Sequence, residues 1–429
     1  MRAPLRRGIC PGLSAPLSTG DGLLVRFMPA GTMTLAVFTE LCVAARRHGN
    51  GVIEVTSRGS IQVRGLTAAS ALHFGEAMGA LGIAADGIPV LTGPLSGLDA
   101  DEILDATALA GDLRHTLART TLAAELAPKI SVVIDGGGML SLDAIAADVR
   151  LCAATSDRGT VLRVDLGGNA ASATHLGCVA PTAAVETVMR LLGFIARRGR
   201  DVRARDVLAA EGVEPLRSAL AIAPCSFGCS LGNGANATRE AIGVHRLRDG
   251  SVACGIGLGF GHADAAALER LAEAAVAAGA RGIRAAVGRV LMIIGLAPET
   301  APTFAAAAES LGCIARADDP RRRVIACAGA PICSSAYIAA RRLAPHVAAA
   351  IGSGIDGAAT IHISGCAKGC AHPMPAALTI VGTADGCALV RNGSAHDAPF
   401  AIIAAHDLAA AVADHMGAVR AFDREATHA

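Results

Sequence analysis

Apolar and polar positions alternate in GLLVRFM (22–28), fall at helical spacing from about Thr34 to His48, then alternate again in VIEVTS (52–57) and SIQVRGL (60–66). Alternation sends successive side chains to opposite faces of a strand, whereas a spacing of three to four keeps them on one helix face. The pattern therefore predicts strand, helix, strand, strand. The same order returns as VACGIGL (252–258), a helix from about Asp264 to Ala278, and RVLMIIGL (289–296). Thr34 and Asp264 stand where helix N-caps are expected, and Gly49 and Gly279 where a left-handed residue would end each helix.

These two stretches are copies. At an offset of 230 residues Gly20 falls on Gly250, Gly31 on Gly261, Gly49 on Gly279 and Gly65-Leu66 on Gly295-Leu296, without gaps. Phe38 falls on Leu268, Leu41 on Leu271 and Ala44-Ala45 on Ala274-Ala275, so both helices bury the same face. One such unit leaves open sheet edges, which pairing with its copy would cover. The expected fold is α+β: two ferredoxin-like half-domains forming one pseudo-symmetric domain, with residues near 58 and 288 brought together. Residues 86–220 alternate Ala-rich helical stretches with short strands such as KISVVID (129–135) and TVLRVDLGG (160–168), and 301–429 repeats that texture. The expected units are 1–85 and 221–300 as half-domains, 86–220 as a first α/β lobe and 301–429 as a second.

Composition narrows the partners. Aromatic residues make up 2 % with no tryptophan, and the net charge is +1, so neither stacking platforms nor overall attraction to nucleic acid is expected. The opening MRAPLRRGICPG meets Pro11 and Gly12 before any apolar run, which does not read as a secretion signal. The uncharged stretch 218–238 holds Pro224, Asn233 and Asn236 and reads as a linker, not a membrane span. A cytoplasmic location is expected. Thirteen cysteines in such a chain favour ligand or buried-thiol roles over a disulfide framework. Of 38 basic residues only Lys129 and Lys368 are lysine, which singles out both positions.

The last lobe contains ACAGAPICSSAY (326–337), a strand TIHIS (360–364) and then GCAKGCAHP. Cys327 and Cys333 are spaced C-x5-C, and Cys366 and Cys370 follow as C-x3-C after thirty-two residues. Four thiolates among glycines and alanines suit a [4Fe-4S] cluster, because small neighbours let backbone amides reach the sulfurs. Zinc knuckles use closer ligand pairs, and buried structural thiols are the bland alternative. Cys225 and Cys229 form a second C-x3-C without a partner pair. The remaining cysteines are scattered among apolar neighbours and read as core.

The quartet, its place after the second half-domain, and TSRGSIQVRGL (56–66) resemble the siroheme-dependent sulfite and nitrite reductase superfamily. Within it, RRGICPGLSAPLSTGDGLLVR, GPLSGLD and SGCAKGCAHP are similar to the precorrin-3B synthase family of aerobic cobalamin synthesis. That resemblance implies hydroxylation of precorrin-3A at C20 by dioxygen with closure of a lactone from the ring-A acetate. It also implies one [4Fe-4S] cluster and a separate non-haem iron. Arg58, Ile61 and Gln62 match the superfamily's Arg-x-x-(Ile/Phe)-Gln strand, which implies a tetrapyrrole carboxylate on Arg58. The reductases carry an arginine before the loop that here reads GIPVLTGPLSG, and two lysines in a Pro-Arg-Lys-Phe-Lys stretch. Here the loop has no arginine, and APKIS keeps Lys129 but has Ser131, which argues against permanently bound siroheme.

Arg58, Gln62 and Arg64, with Arg284 and Arg289 of the second copy, are candidate substrate contacts; solvated strand-edge arginines are the plainer reading. Lys129, at the start of an apolar strand, and Lys368, inside the C-x3-C turn, join them. His372 is a candidate iron ligand, although no His spacing marks a facial triad, so the non-haem iron ligands stay unassigned. Glycines 136–138 and 167–168 could cradle an anion. Electrons would come from NAD(P)H through a separate reductase, since no G-x-G-x-x-G follows a strand. A siroheme sulfite or nitrite reductase, and a non-catalytic tetrapyrrole-binding electron carrier, remain as rivals.

Overall fold

A computed structural model describes residues 11–83, 87–157, 159–220, 230–231, 239–352 and 359–415. Cys10, Cys225, Cys229 and most of the 218–238 stretch lie outside them.

The first copy folds as strand Gly22–Phe27, helix Leu35–His48, strand Val52–Val55 and strand Ile61–Leu66, with a further helix Ala68–Ala80. Thr34 caps its helix by accepting from Val37 N at 3.2 Å, and Asp264 does the same for helix Ala265–Ala277 through Ala266 N at 3.0 Å. Gly279 is left-handed at φ 82, as expected. Gly49 is not: its backbone is extended. It is glycine for closeness instead, since a Cβ there would sit 2.5 Å from the Arg64 carbonyl oxygen.

The two copies share one core. Phe38, Leu41 and Ala45 pack in a single cluster with Leu268, Leu271 and Ala275, and the alanines let the helix backbones approach. Helix Ala301–Ser310 adds Ala301, Phe304 and Ala308, so this core reaches past residue 300. Backbone bonds stitch the sheets: Met33 and Ile283 exchange two at 2.8 and 2.9 Å, and strand His262–Asp264 of the second copy pairs antiparallel with Val52–Val55 of the first. Arg58 bridges to Val287, and Gly288 N donates to the Ser57 carbonyl at 2.9 Å, so residues 58 and 288 do meet. Gly59 makes this possible. It has φ +78, and a Cβ there would stand 2.9 Å from the Ala286 carbonyl carbon. Gly59→Ala should cost roughly 1–3 kcal/mol in unfolding free energy. Gly31→Ala, with nothing within 4 Å of its Cβ, should be near neutral in the same denaturant titration.

The lobes repeat each other. In the first, strand Val90–Thr92 runs parallel to Val132–Asp135 and that to Ala147–Ser156, followed by antiparallel Gly159–Gly168 and Thr174–Val179. In the second, Val324–Ala326, Ile361–Ser364 and Ala376–Thr383 are parallel, followed by antiparallel Gly386–Gly393 and Ala401–Ile403. Ligands in such sheets sit beyond the carboxyl ends of parallel strands. Among the described residues no helix is long and apolar enough to cross a membrane.

Candidate functional site

Cys327 directly follows strand Val324–Ala326, and Cys366 follows Ile361–Ser364 by one residue. These strands are parallel neighbours, so both thiols emerge at the same end of the sheet. Cys327 N donates to the Ile363 carbonyl at 3.1 Å, and Cys333 N closes a turn onto Gly329 O at 2.7 Å. Gly365 N donates to Cys327 Sγ at 3.0 Å. Gly365 could carry no side chain: a Cβ would lie 2.6 Å from Ala336 Cβ and 3.4 Å from Cys327 Sγ. Burial pushes the Cys327 thiol up, the amides of Gly365 and Gly329 pull it down, and the charges of Cys333 and Cys366 reach it. Three of the four thiols therefore share one electrostatic neighbourhood, while Cys370, four residues past Cys366, is exposed. Lys368 spans the two pairs, donating from Nζ to Ser335 Oγ at 2.9 Å.

The donor set fits a four-iron cluster: thiolates, a sulfur-directed amide and glycine packing are the features such a group requires. Among the described residues no three His, Cys, Asp or Glu side chains converge as ligands of a single metal ion. A cubane spreads its thiolates more widely than one ion does, so that observation bears on single-ion sites. The scattered cysteines behave differently, and Cys178 departs from the expected core thiol because it is disulfide-bonded. Burial raises Cys254 and Cys313 to about 11 and Cys152 to about 12, which keeps them thiols in the core.

The basic residues separate into two groups. Arg58 leaves the first half-domain for the first lobe, donating to Ser131 Oγ at 3.2 Å and to the Ala146 carbonyl. Ser131, which stands for the reductases' second lysine, is 1 % exposed and has its amide on Asp148 at 3.0 Å. A lysine ammonium held there would be dehydrated. Lys129 is exposed. Arg289 reaches the other way, donating to the Ala371 carbonyl at 3.4 Å beside the C-x3-C turn. Arg58 and Arg289 thus stand on two paired loops and reach opposite lobes.

Gln62, Arg64 and Arg284 are committed inside the chain. Gln62 accepts from Arg26 Nε at 2.6 Å and donates to Glu54. Arg64 places Nε and Nη2 on Asp21 at 3.2 Å each and lies 3.7 Å from Glu54. Arg341, from helix Ala340–Ile351 of the second lobe, also pairs with Glu54. Arg284 donates to Thr32 Oγ1 at 2.9 Å and to the carbonyls of Pro94 and Ser96 at 3.1 and 3.0 Å, fastening the GPLSG loop; burial lowers its guanidinium. The glycine run 136–138 cradles no external anion. A Cβ on Gly136 would strike Glu102, and one on Gly138 would strike Asp99, so the chain's own carboxylates fill it. Gly167 and Gly168 pack against Arg205 and Ser172.

Two parts of this region were not marked by the sequence reading. Glu54 gathers Gln62, Arg64 and Arg341, and its signal was an acid register-paired with Gln62 on one strand face. His362 is wholly buried and sits edge-on to His372 with ring centroids 5.7 Å apart. Burial, then the charges of His372 and Arg289, pushes it down to about 4, so the ring is neutral.

Comparison with known proteins agrees with this architecture. A family model described as Nitrite/Sulfite reductase ferredoxin-like half domain matches residues 16–75. A precorrin-3B synthase from Sinorhizobium sp is 39 % identical over 414 residues, covering 96 % of this chain and 88 % of the relative. A ferredoxin–nitrite reductase from Synechococcus elongatus is 24 % identical over 400 residues, covering 86 % of this chain and 77 % of that one. The solved structure of the Mycobacterium tuberculosis NirA protein superposes with a TM-score of 0.74 at 18 % identity, covering 90 % of this chain and 79 % of that one, a likeness of fold.

Proposed function

The chain belongs to the precorrin-3B synthase family, and from that premise we propose that it hydroxylates precorrin-3A at C20 with dioxygen and closes the ring-A acetate into a lactone. It is an oxidoreductase of tetrapyrrole chemistry in cobalamin synthesis. The observation that carries this reading against a siroheme reductase is Ser131. Where the reductases keep a lysine, this chain buries a hydroxyl whose partner is Arg58, so one cation of the set that the reductases present to siroheme is missing.

Cys327, Cys333, Cys366 and Cys370 would hold the [4Fe-4S] cluster. Bound there, it supplies one-electron transfer, with electrons from NAD(P)H arriving through a separate reductase. Gly365 N–H stabilises the Cys327 thiolate, and Lys368 keeps a positive charge beside the turn. Arg58 and Lys129 would meet substrate carboxylates, whose burial without a cation would be costly. Gln62 and Arg64 shape the walls, because both are buried and held by partners within the chain, and Arg284 fastens the GPLSG loop. A non-haem iron, which the family resemblance implies, would complete the oxygen chemistry.

The test is anaerobic purification followed by incubation with precorrin-3A, reductant and isotopically labelled dioxygen. Incorporation of one labelled atom into the macrocycle is expected. A purified protein carrying siroheme and consuming sulfite or nitrite would overturn the reading, as would tetrapyrrole binding without turnover.

A further inference from the structure

One corner of the molecule holds polar groups that neither the cluster nor Arg58 uses. His362 is 0 % exposed, and both its ring nitrogens lack a hydrogen-bond partner among the described residues. Leaving a buried imidazole unpaired on both sides is destabilising, so such a group calls for an explanation. Arg289 reaches the same corner half-buried, and the one hydrogen bond described for its side chain is the 3.4 Å contact with the carbonyl of Ala371, the residue before His372; its charge also acts on His362. Among the described residues no carboxylate forms an ion pair with Arg289, and burial alone lowers its guanidinium. Its backbone is left-handed at φ 65, a conformation that costs energy in any residue with a Cβ. His372 closes the group at 5.7 Å from His362.

We propose that Arg289, His362 and His372 form a carboxylate site that grips one acetate or propionate side chain of the macrocycle. A metal ion fits poorly, because the guanidinium would repel it. A carboxylate fits on both counts: it accepts from the planar fork of the arginine, and each imidazole can offer it a ring N–H. It also supplies the partner that His362 lacks and the counter-charge that Arg289 lacks. The location suits the substrate, since Arg289 stands on the loop paired with that of Arg58, and His372 is two residues beyond Cys370. The site rests on the reading above and adds His362 and His372 to its binding groups.

The test uses the full-length holoprotein and uroporphyrin III, a stable macrocycle bearing both acetates and propionates, followed by its own fluorescence; the chain has no tryptophan to interfere. Arg289→Gly removes the cation while relieving the left-handed backbone, and His362→Leu removes two unpaired polar atoms at similar volume. Each should weaken porphyrin binding roughly tenfold or more, with a melting temperature equal to or above that of the wild type. The double variant should lose little more than either single one, because both act on one carboxylate. Unchanged affinity in both variants, alongside normal wild-type turnover, overturns this site and leaves the function standing. Loss of iron with unchanged porphyrin affinity would make it a metal site instead. A wild-type protein that neither binds uroporphyrin III nor turns over precorrin-3A would overturn the function as well.

Discussion

Cys366→Ser is expected to yield a folded, colourless protein with no cluster iron and no oxygen incorporation into precorrin-3A. The turn that carries Cys366 does not depend on its sulfur. Ser364 Oγ holds the Cys366 carbonyl at 2.7 Å, and Tyr337 N holds the Gly365 carbonyl at 2.8 Å. A serine hydroxyl, by contrast, is a poor replacement for a thiolate on iron. Activity should fall to background while the far-ultraviolet spectrum is retained. Cys387→Ser is the matched control. That thiol is 0 % exposed in the core of the same lobe and burial raises its pKa, so the variant should lose stability but keep its iron. Iron content measured on both variants decides the matter. Full iron and activity in Cys366→Ser would remove that residue from the ligand set.

How much of this could be read from the sequence follows the range of each interaction. Helix Leu35–His48 and its copy were legible because cap, apolar stripe and repeat lie within a few residues of one another. The gathering of Cys327, Cys333 and Cys366 was legible because the spacings are local and both pairs follow strands that turn out to be parallel neighbours. Gly49 was misread because its constraint is the carbonyl of Arg64, on strand Ile61–Leu66 and not in the helix that Gly49 ends. Strand Ala147–Ser156 went unmarked, since its alanines blur the alternation, and the same weakness hid helix Ala301–Ser310. The ion pair of Arg341 with Glu54 joins residues 287 apart, a separation no local pattern reports. His362 shows the same limit from the other side. In TIHIS it looks like the wet face of a strand, and only the packing of the second lobe makes it wholly buried.

Glu54→Ala should destabilise the protein by about 3–5 kcal/mol, more than any single loss of packing proposed above. Glu54 is 8 % exposed and is the carboxylate shared by Arg341 and Arg64, with Gln62 donating to its other oxygen. Removing it leaves the Arg341 guanidinium, 13 % exposed and already short of a partner at Nε, without its counter-charge between two domains. Arg64 suffers less, because Asp21 still holds it. The loss should therefore fall mainly on the contact of helix Ala340–Ile351 with the first half-domain, which seats the cluster lobe. Denaturant titration should show a lower midpoint, and iron should be released earlier than in the wild type. If the cost is an abandoned cation, Arg341→Met in the same chain should recover much of it, since replacing both partners by apolar groups can be nearly neutral. A destabilisation below about 1 kcal/mol, or no recovery in the double variant, would show the pair to be screened by water and the lobes to be held by their apolar contacts alone.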